Sequence, residues 1–423
     1  MLDIKFIVEH PTDVKNMLKK RFKEDRIWMV DELLKDFVAL KDFKKRGDDL
    51  RAQRNTLSQE INTLKKAKED ASKKIKEATA LPKKVAELEE DVQLLQAEMK
   101  KKLHQIPNMI HSSVPKGKDE SKNKLERKSG RKTPHTKSLV SHVDLLETLD
   151  GAELEQASKV SGARFYYLKN ELAQLDMAVL QLAIDMIRKK GYSFIQTPQL
   201  LRKEIMEGAA ELDDFEETLY SDQREDLFLI PTAEHAMVAY HAQKTLTTLP
   251  QKHIAVSTCF RREAGSHGKD TKGLFRVHEF RKAEQFVVCH PKESWKVHEE
   301  LIKNAEEIMK ALELPYRVVN IASGELNNTA AKKYDIESWM PVQNTYREMV
   351  SCSNCLDYQA RKLNIRYNVN GEKGYPHLLN ATAVATPRIL VAILENHQQK
   401  NGSIKIPKAL HKYLNFKVIK PKK

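Results

Sequence analysis

The chain has 423 residues, with 73 Lys or Arg against 59 Asp or Glu and a formal net charge of +14. Its 14 glycines and 15 prolines exclude a collagen-like or low-complexity chain, and the length suits two or three domains of roughly 100–200 residues each. Four cysteines, Cys259, Cys289, Cys352 and Cys355, exclude a disulfide scaffold and point to a reducing, cytoplasmic setting.

The positive excess draws polyanions to the surface. Nucleic acid is the first candidate partner and a membrane surface the second, while a lysine-rich proteome would give the same charge with no such partner. MLDIKFIVEH has no long apolar stretch, and Asp3 and Glu9 come too early for a transit peptide, so no targeting segment is expected. No run of 18 apolar residues occurs, and no membrane span is expected.

In chain order, DIKFIV opens as a short strand or the start of a helix, and Pro11-Thr12-Asp13 marks a helix start. Residues 27–66 read as one long helix. Phe43, Leu50, Leu57 and Leu64 repeat at seven, Leu33, Leu40 and Ile61 mark the neighbouring seam, and Gly47 is the one breaker. A second helix is expected over 82–105, with Val85, Val92 and Met99 on one seam and Leu88 and Leu95 on the other. Such stripes want a partner helix. With the reversal placed in 67–81, the simplest structure is an antiparallel coiled-coil hairpin whose first arm is about 60 Å long at 1.5 Å per residue. An arm this thin holds no substrate cleft but reaches something large; a dimerisation coil is the alternative. The predicted domains are residues 1–110, a linker of low apolar content over 111–139, and a large domain over 140–423.

In the large domain Leu172–Ile187 reads as an apolar-faced helix and GYSFIQTP as a turn and strand. Further strands are expected at 227–231, 254–260, 275–289, 316–321, 346–354 and 364–370 and approaching 377–380, with helices at 292–311 and 385–399. Alternating strands joined by short turns predict an α+β domain on an antiparallel sheet rather than repeated βαβ units.

No GxxxxGK[ST] or GxGxxG turn is present, so a nucleotide would be held by another device. The densest polar cluster is Arg261, Arg262 and Glu263, then Gly265 and Ser266, then Arg276, His278, Glu279 and Glu284. Period two puts Arg276, His278 and Phe280 on one face and Val277, Glu279 and Arg281 on the other. An arginine at a strand end grips phosphate by paired hydrogen bonds, and a carboxylate on the same face accepts from an amine; a solvated hairpin tip explains the loop charges equally well. Thr232-Ala233-Glu234 fits a site for an ammonium group, or a helix N-cap with an acid in its first turn, or both. Cys352 and Cys355 have CxxC spacing without the second pair that a four-cysteine zinc site needs. Neither HExxH nor GxSxG occurs.

Several long segments then resemble one family in order. CFRREAGSHGKDTKGLFRVHEFRKAEQF resembles motif 2 of seryl-tRNA synthetases, NATAVATPRILVAILENHQ their motif 3, and LAQLDMAVLQLAIDMIRKKGYSFIQTP their motif 1. The heptad hairpin resembles their N-terminal arm, and the likeness spans residues 1–411. It implies a class II synthetase core, an antiparallel sheet flanked by helices, that activates L-serine with ATP and Mg2+ and loads tRNA(Ser), and tRNA(Sec) where present, as a homodimer. Arg261 is then expected to hold the α-phosphate and serine carboxylate, with Arg262 beside it, and Arg388 the γ-phosphate; these two arginines are the catalytic pair. Glu263 contacts adenosine, and Phe275 and Val277 border adenine. Glu348 and Ser351 carry magnesium, with Met349 and Val350 in the same ATP-binding stretch. Thr232, Ala233 and Glu234 bind the serine ammonium, and Glu284 accepts from its hydroxyl, with Asn380 and Thr382 close by. Pro198 sits at the dimer contact. Many relatives read NGSGLAVGR where this chain has NATAVATPR, so Pro387 replaces a flexible glycine before Arg388. A synthetase-like RNA-binding paralogue, a changed amino acid or carrier-protein substrate, and a purely structural coiled coil are the competing readings.

Overall fold

The computed structural model describes residues 1–210, 218–222, 224–263 and 272–422. The loop carrying Gly265 and Ser266 lies outside the described residues. The chain forms two compact units, Met1–Met109 and Ile110–Lys423.

In the first unit, the opening segment is helical. Helix Ile4–Glu9 is capped by Asp3, whose carboxylate accepts from Lys5 N, and Pro11 starts helix Pro11–Lys20. The long arms are Ile27–Ala67 and Ser72–Gln105. Lys68, at φ 60°, ends the first arm in the left-handed region, and Glu69 N donates to Leu64 O at 2.9 Å. The reversal is therefore tighter than expected, and the second arm begins ten residues before Pro82. Pro82 lies inside that helix, exposed, while its neighbour Leu81 is buried. An interior proline loses one helix hydrogen bond, and seam packing on both sides of it holds the helix together. Leu33 and Leu57 of one arm and Leu88, Met99 and Leu103 of the other are buried, as the heptads require. Cross-arm ion pairs fix the antiparallel register: Lys102 with Glu32 and Asp36 at 3.0 and 2.9 Å, Arg51 with Glu89 at 2.6 Å, and Lys74 with Glu60. The exposed pairs among them, Arg51–Glu89 and Lys74–Glu60, add little stability.

The second unit is built on an eight-stranded sheet. Its strands are β1 (Lys124–Ser129), β2 (Ser193–Gln196), β3 (Gln251–Phe260), β4 (Glu279–Cys289), β5 (Tyr316–Asn320), β6 (Lys332–Met340), β7 (Thr345–Asn354) and β8 (His377–Ala385). They lie in the order β1-β5-β6-β7-β8-β4-β3-β2. Every pairing is antiparallel except β2 with β3. Two strands lie outside the expected set. β1 falls in the stretch read as a linker; it is a charged edge strand, a pattern that blunts edges, and Arg127 on it donates to both carboxylate oxygens of the mostly buried Glu306. β6 is buried on both faces for most of its length, so it shows no apolar alternation.

The main core covers one face of the sheet. Helices Asn170–Arg188, Ser294–Ala311 and Thr386–His397 supply Leu175, Val179, Leu301, Ile308, Leu390 and Ile393 to it, against Ala283, Val287, Val350 and Cys352 from the strands. A smaller core lies on the other face, where Met237 and Val238 of helix Ala233–His241 meet Phe286, Val288 and Leu378. Along β4, residues alternate between the two faces. Lys282 and Glu284 thus share the face of Phe286 and Val288, beyond the end of the smaller core.

Gly47 lies buried on the hairpin seam, and a Cβ there would meet Leu88 Cδ2 and Arg51 Nη1 at 3.6 Å, ordinary contact. Gly47→Ala is therefore predicted to stabilise the hairpin by about 1 kcal/mol, read as roughly fivefold slower amide hydrogen exchange around residues 43–51. Faster exchange in the variant would show that the seam has no room for a methyl group.

Candidate active site

A cavity of about 500 Å³ opens on the sheet face that β4 shares with the smaller core, lined by residues from β4, β6, β7 and β8, by Arg261 just past the end of β3 and by the start of helix Ala233–His241. Two bulges place its side chains. In β7, Glu348 pairs with Glu337 and Val350 with Ile336, leaving Met349 unpaired. The extra residue brings Glu348 and Ser351, three apart, to the same face. In β8 the register skips Ala383, with Thr382 opposite Glu284 and Val384 opposite Ala283. Thr382 and Ala385 consequently both line the cavity. Helix Thr386–His397 starts there with Pro387 in its first turn, where a missing N–H removes no helix bond, and Arg388 projects into the cavity.

The floor is charged and buried. Thr232 is the N-cap of helix Ala233–His241, its Oγ1 accepting from Glu234 N at 3.2 Å. The N-cap and site readings of this segment are compatible, because Thr232 and Glu234 also line the cavity. Gln359 Nε2 donates to Glu234 Oε1 at 2.9 Å. Burial lifts the Glu234 carboxyl to about 7; Glu284 adds to the rise, and Gln359 and Lys282 oppose it. Burial also pushes Glu284 upward, against the pull of Lys282, Thr382 and Arg261. Thr382 Oγ1 donates to Glu284 Oε2 at 3.2 Å, and Lys282 Nζ lies 2.6 Å from that oxygen.

The opposite wall is made for anions. Arg261 Nε donates to Pro231 O at 3.3 Å and its guanidinium lies 5.2 Å from the Phe280 ring centroid. Arg388 Nη1 donates to Glu348 O at 3.2 Å, and its guanidinium lies 5.3 Å from the Phe275 ring, with Arg347 over the same ring at 4.2 Å. The surrounding protein disfavours a charge on Glu348, yet Arg388, Lys333 and Arg261 outweigh that and hold its carboxyl below the ordinary range. Glu263, at φ 49°, accepts from Arg276 Nη1 at 3.0 Å.

Glu348 and Ser351 offer hard oxygen donors, the kind that suits magnesium. Asp335, opposite Ser351 in the β6–β7 pairing, has its Oδ1 buried without a hydrogen-bond partner among the described residues. No group of three or more His, Cys, Asp or Glu side chains that could hold a metal occurs among the described residues. Magnesium sites built from one or two carboxylates plus substrate phosphates need none, so the donor set fits that ion.

The expected residues Thr232, Glu234, Arg261, Glu263, Phe275, Val277, Glu284, Glu348, Met349, Ser351, Asn380, Thr382 and Arg388 all line this one cavity. Three others do not line it. Ala233 is buried at the helix start, Arg262 is exposed, and Val350 packs in the main core on the other face of β7. Residues 275–278 precede β4, so the period-two grouping of Arg276 with His278 and Phe280 does not hold there. His278 instead sits with Nδ1 2.7 Å from the Arg261 carbonyl. Cys352 and Cys355 are buried; Cys352 faces the main core, and Asn380 Nδ2 lies 3.8 Å from Cys355 Sγ. Lys282, Lys333 and Gln359 line the cavity without having been expected. Lys282 carries a signal as the period-two neighbour of Glu284; Lys333 lies on β6, outside the expected strands, and Gln359 on the short helix Tyr358–Lys362, and neither carries such a signal.

Residues 1–110 match the family model "Seryl-tRNA synthetase N-terminal domain" and residues 215–397 match "tRNA synthetase class II core domain (G, H, P, S and T)". The chain is 45% identical to the serine–tRNA ligase of Pyrococcus horikoshii over 100% of this chain and 98% of that protein. It is 44% identical to that of Nitrosopumilus maritimus over 98% and 99%. The crystal structure of the P. horikoshii seryl-tRNA synthetase complexed with ATP superposes with a TM-score of 0.95 at 44% identity, covering 100% of both chains. The cytoplasmic serine–tRNA ligase of Naegleria fowleri in complex with AMP gives 0.91 at 35% identity, over 100% and 99%. With relatives this similar along its whole length, the chain belongs to the seryl-tRNA synthetase family of class II aminoacyl-tRNA synthetases.

Proposed function

We propose that this chain activates L-serine with ATP and transfers the seryl group to the 3′ end of tRNA(Ser), and of tRNA(Sec) where a cell has one. One observation carries the reading: a single cavity gathers the buried Glu284 and half-buried Glu234 carboxylates on its floor and two arginines, each beside an aromatic ring, on its wall. An amino acid and a nucleoside triphosphate need those two chemistries side by side.

Thr232 and Glu234 take the serine ammonium, with Ala233 setting the helix start between them. Glu284 accepts from the serine hydroxyl, flanked by Asn380 and Thr382. Arg261 holds the α-phosphate and the serine carboxylate, and Arg388 the γ-phosphate. Phe275, Val277 and Met349 border adenine, and Glu263 contacts adenosine. Glu348 and Ser351 would hold Mg2+, which neutralises phosphate charge when bound.

A serine carboxylate oxygen attacks the α-phosphorus, and the bond to pyrophosphate breaks. Both reactants are anionic, and Arg261 and Arg388 stabilise the charge that builds on the transferring group. The terminal ribose hydroxyl of the tRNA then attacks the seryl carbonyl carbon and AMP leaves. The helical hairpin presents exposed Arg54, Lys65, Lys66 and Lys68, which suit salt-sensitive recognition of RNA shape, here the long variable arm. Exposed Met177, Phe194 and Leu200 around Pro198 support a homodimer contact. No helix among the described residues is long and apolar enough to cross a membrane, and four free thiols support a cytoplasmic setting.

Serine alone among the twenty amino acids is expected to drive ATP–pyrophosphate exchange, and Arg261→Ala to lower that rate by roughly 10²–10³-fold. Exchange driven by a different amino acid, or an unchanged rate in the variant, contradicts the assignment. The pH profile gives a second check. Glu234 must be ionised to bind the ammonium, and burial lifts its carboxyl to about 7. As pH falls below that value the protonated fraction grows, so kcat/KM for serine should drop about tenfold per pH unit on the acid side and level off above it. A profile flat down to the ordinary carboxylate range removes Glu234 from serine binding. Third, replacing residues 30–103 by a short Gly/Ser turn should leave exchange near parental while tRNA charging falls by orders of magnitude. Intact charging, or loss of exchange from a folded protein, contradicts this division of labour; conversion to monomers favours the dimerisation-coil alternative.

A further inference from the structure

Lys282 has no part in the roles assigned above, yet it occupies the centre of the cavity floor. Its side chain is 8% exposed, and its Nζ lies 2.6 Å from Thr232 Oγ1 and 2.6 Å from Glu284 Oε2. It reaches both because Lys282 and Glu284 share a face of β4 and Thr232 caps the helix above. Resting on the reading of this cavity as the serine site, a problem of orientation follows. Glu284 is buried and Glu234 half-buried in the same cavity, and a substrate ammonium would be drawn to either carboxylate. Serine bound with its ammonium on Glu284 would carry its carboxylate away from Arg261.

We propose that Lys282 is a resident counter-ion that neutralises Glu284, reserving it for a neutral hydroxyl and leaving Glu234 to take the substrate ammonium. Lys282 is thereby a positioning residue: it fixes which way round the amino acid binds and favours one with a hydroxyl. The same ammonium keeps Glu284 in the carboxylate form that accepts a hydrogen bond, opposing the upward push of burial. The groups facing this pair are Arg261 and the Cys259 thiol at the end of β3, Glu234 and His235 from the helix and Thr382 from β8, while the Cys352 thiol of β7 lies on the main-core side of the sheet. Burial pushes both thiols up and His235 down to about 3. Near neutral pH, Arg261 and Lys282 are therefore the cations among these groups that act on Glu284.

The test is Lys282→Met in the full chain, with serine- and alanine-dependent pyrophosphate exchange measured across pH. KM for serine is expected to rise roughly 30-fold or more, as for truncating one partner of a buried charge pair. KM for ATP should stay within about threefold, since ground-state ATP binding is untouched. The acid limb of kcat/KM for serine should move up by about one pH unit, and the preference for serine over alanine should shrink. In Lys282→Met/Glu284→Gln, which removes both charges, that shift of the acid limb should vanish. Serine and ATP KM values that rise together, or an acid limb that stays in place in the single variant, overturn the proposal. If the single variant does not fold but the double variant does, an uncompensated buried charge is the cause and the proposal stands. If neither folds, Lys282 serves packing and the proposal falls. A parent chain without serine-dependent exchange would instead remove the serine reading on which the proposal rests.

Discussion

A β-strand shows successive side chains to opposite faces, so residues three apart ordinarily cannot serve the same cavity. The cavity is lined by two such pairs, Glu348 with Ser351 and Thr382 with Ala385, and each is delivered by one unpaired residue, Met349 in β7 and Ala383 in β8. Without those bulges, Ser351 would turn into the main core and a buried hydroxyl would meet apolar neighbours. The rest of the sheet is arranged to let the bulges stand. β6 and β4 pair with the bulged strands residue by residue, and helix Thr386–His397 starts directly after β8 with Pro387 in its first turn. Bulges near sites that re-aim side chains are a recurrent device, and here both lie on strands that line the cavity.

The same face of the sheet must also tolerate charge. Even-numbered positions of β4 run from Lys282 and Glu284 to Phe286 and Val288, so one strand passes from a polar floor into an apolar core within a few residues. The carboxylates there are kept in place by partners at hydrogen-bond distance: Gln359 for Glu234, Thr382 and Lys282 for Glu284. Breaking a buried pair by removing one partner leaves an uncompensated charge, a far larger penalty than losing a surface ion pair. The exposed pairs along the hairpin are of the second kind, and there the apolar seam at Leu33, Leu57, Leu88 and Met99 carries the packing.

Much of this was legible in the sequence because it rests on period. The heptads located both arms, and the alternating runs located most strands of the sheet. What escaped has specific physical causes. Pro82 reads as a stop, but seam contacts hold the helix on both sides of it. β6 is buried on both faces and β1 is a charged edge, so neither alternates in the expected way. The residues 275–278 carry a strand-like pattern yet precede the strand, with Arg276 turned to Glu263 instead of into a ladder. The site residues came from the family resemblance and thirteen of them meet in one cavity, whereas Lys282 went unread because a lysine in a strand looks like a solvated residue until its two partners are in view.

The central claim is that a single cavity orients serine against ATP by separating hydroxyl from ammonium. The most direct measurement is a crystal structure of this chain with a non-hydrolysable seryl-adenylate analogue. The account predicts the serine hydroxyl at Glu284, the ammonium at Thr232 and Glu234, the phosphate mimic at Arg261 and the adenine against Phe275. An analogue bound with its ammonium on Glu284, or bound outside this cavity, would contradict it.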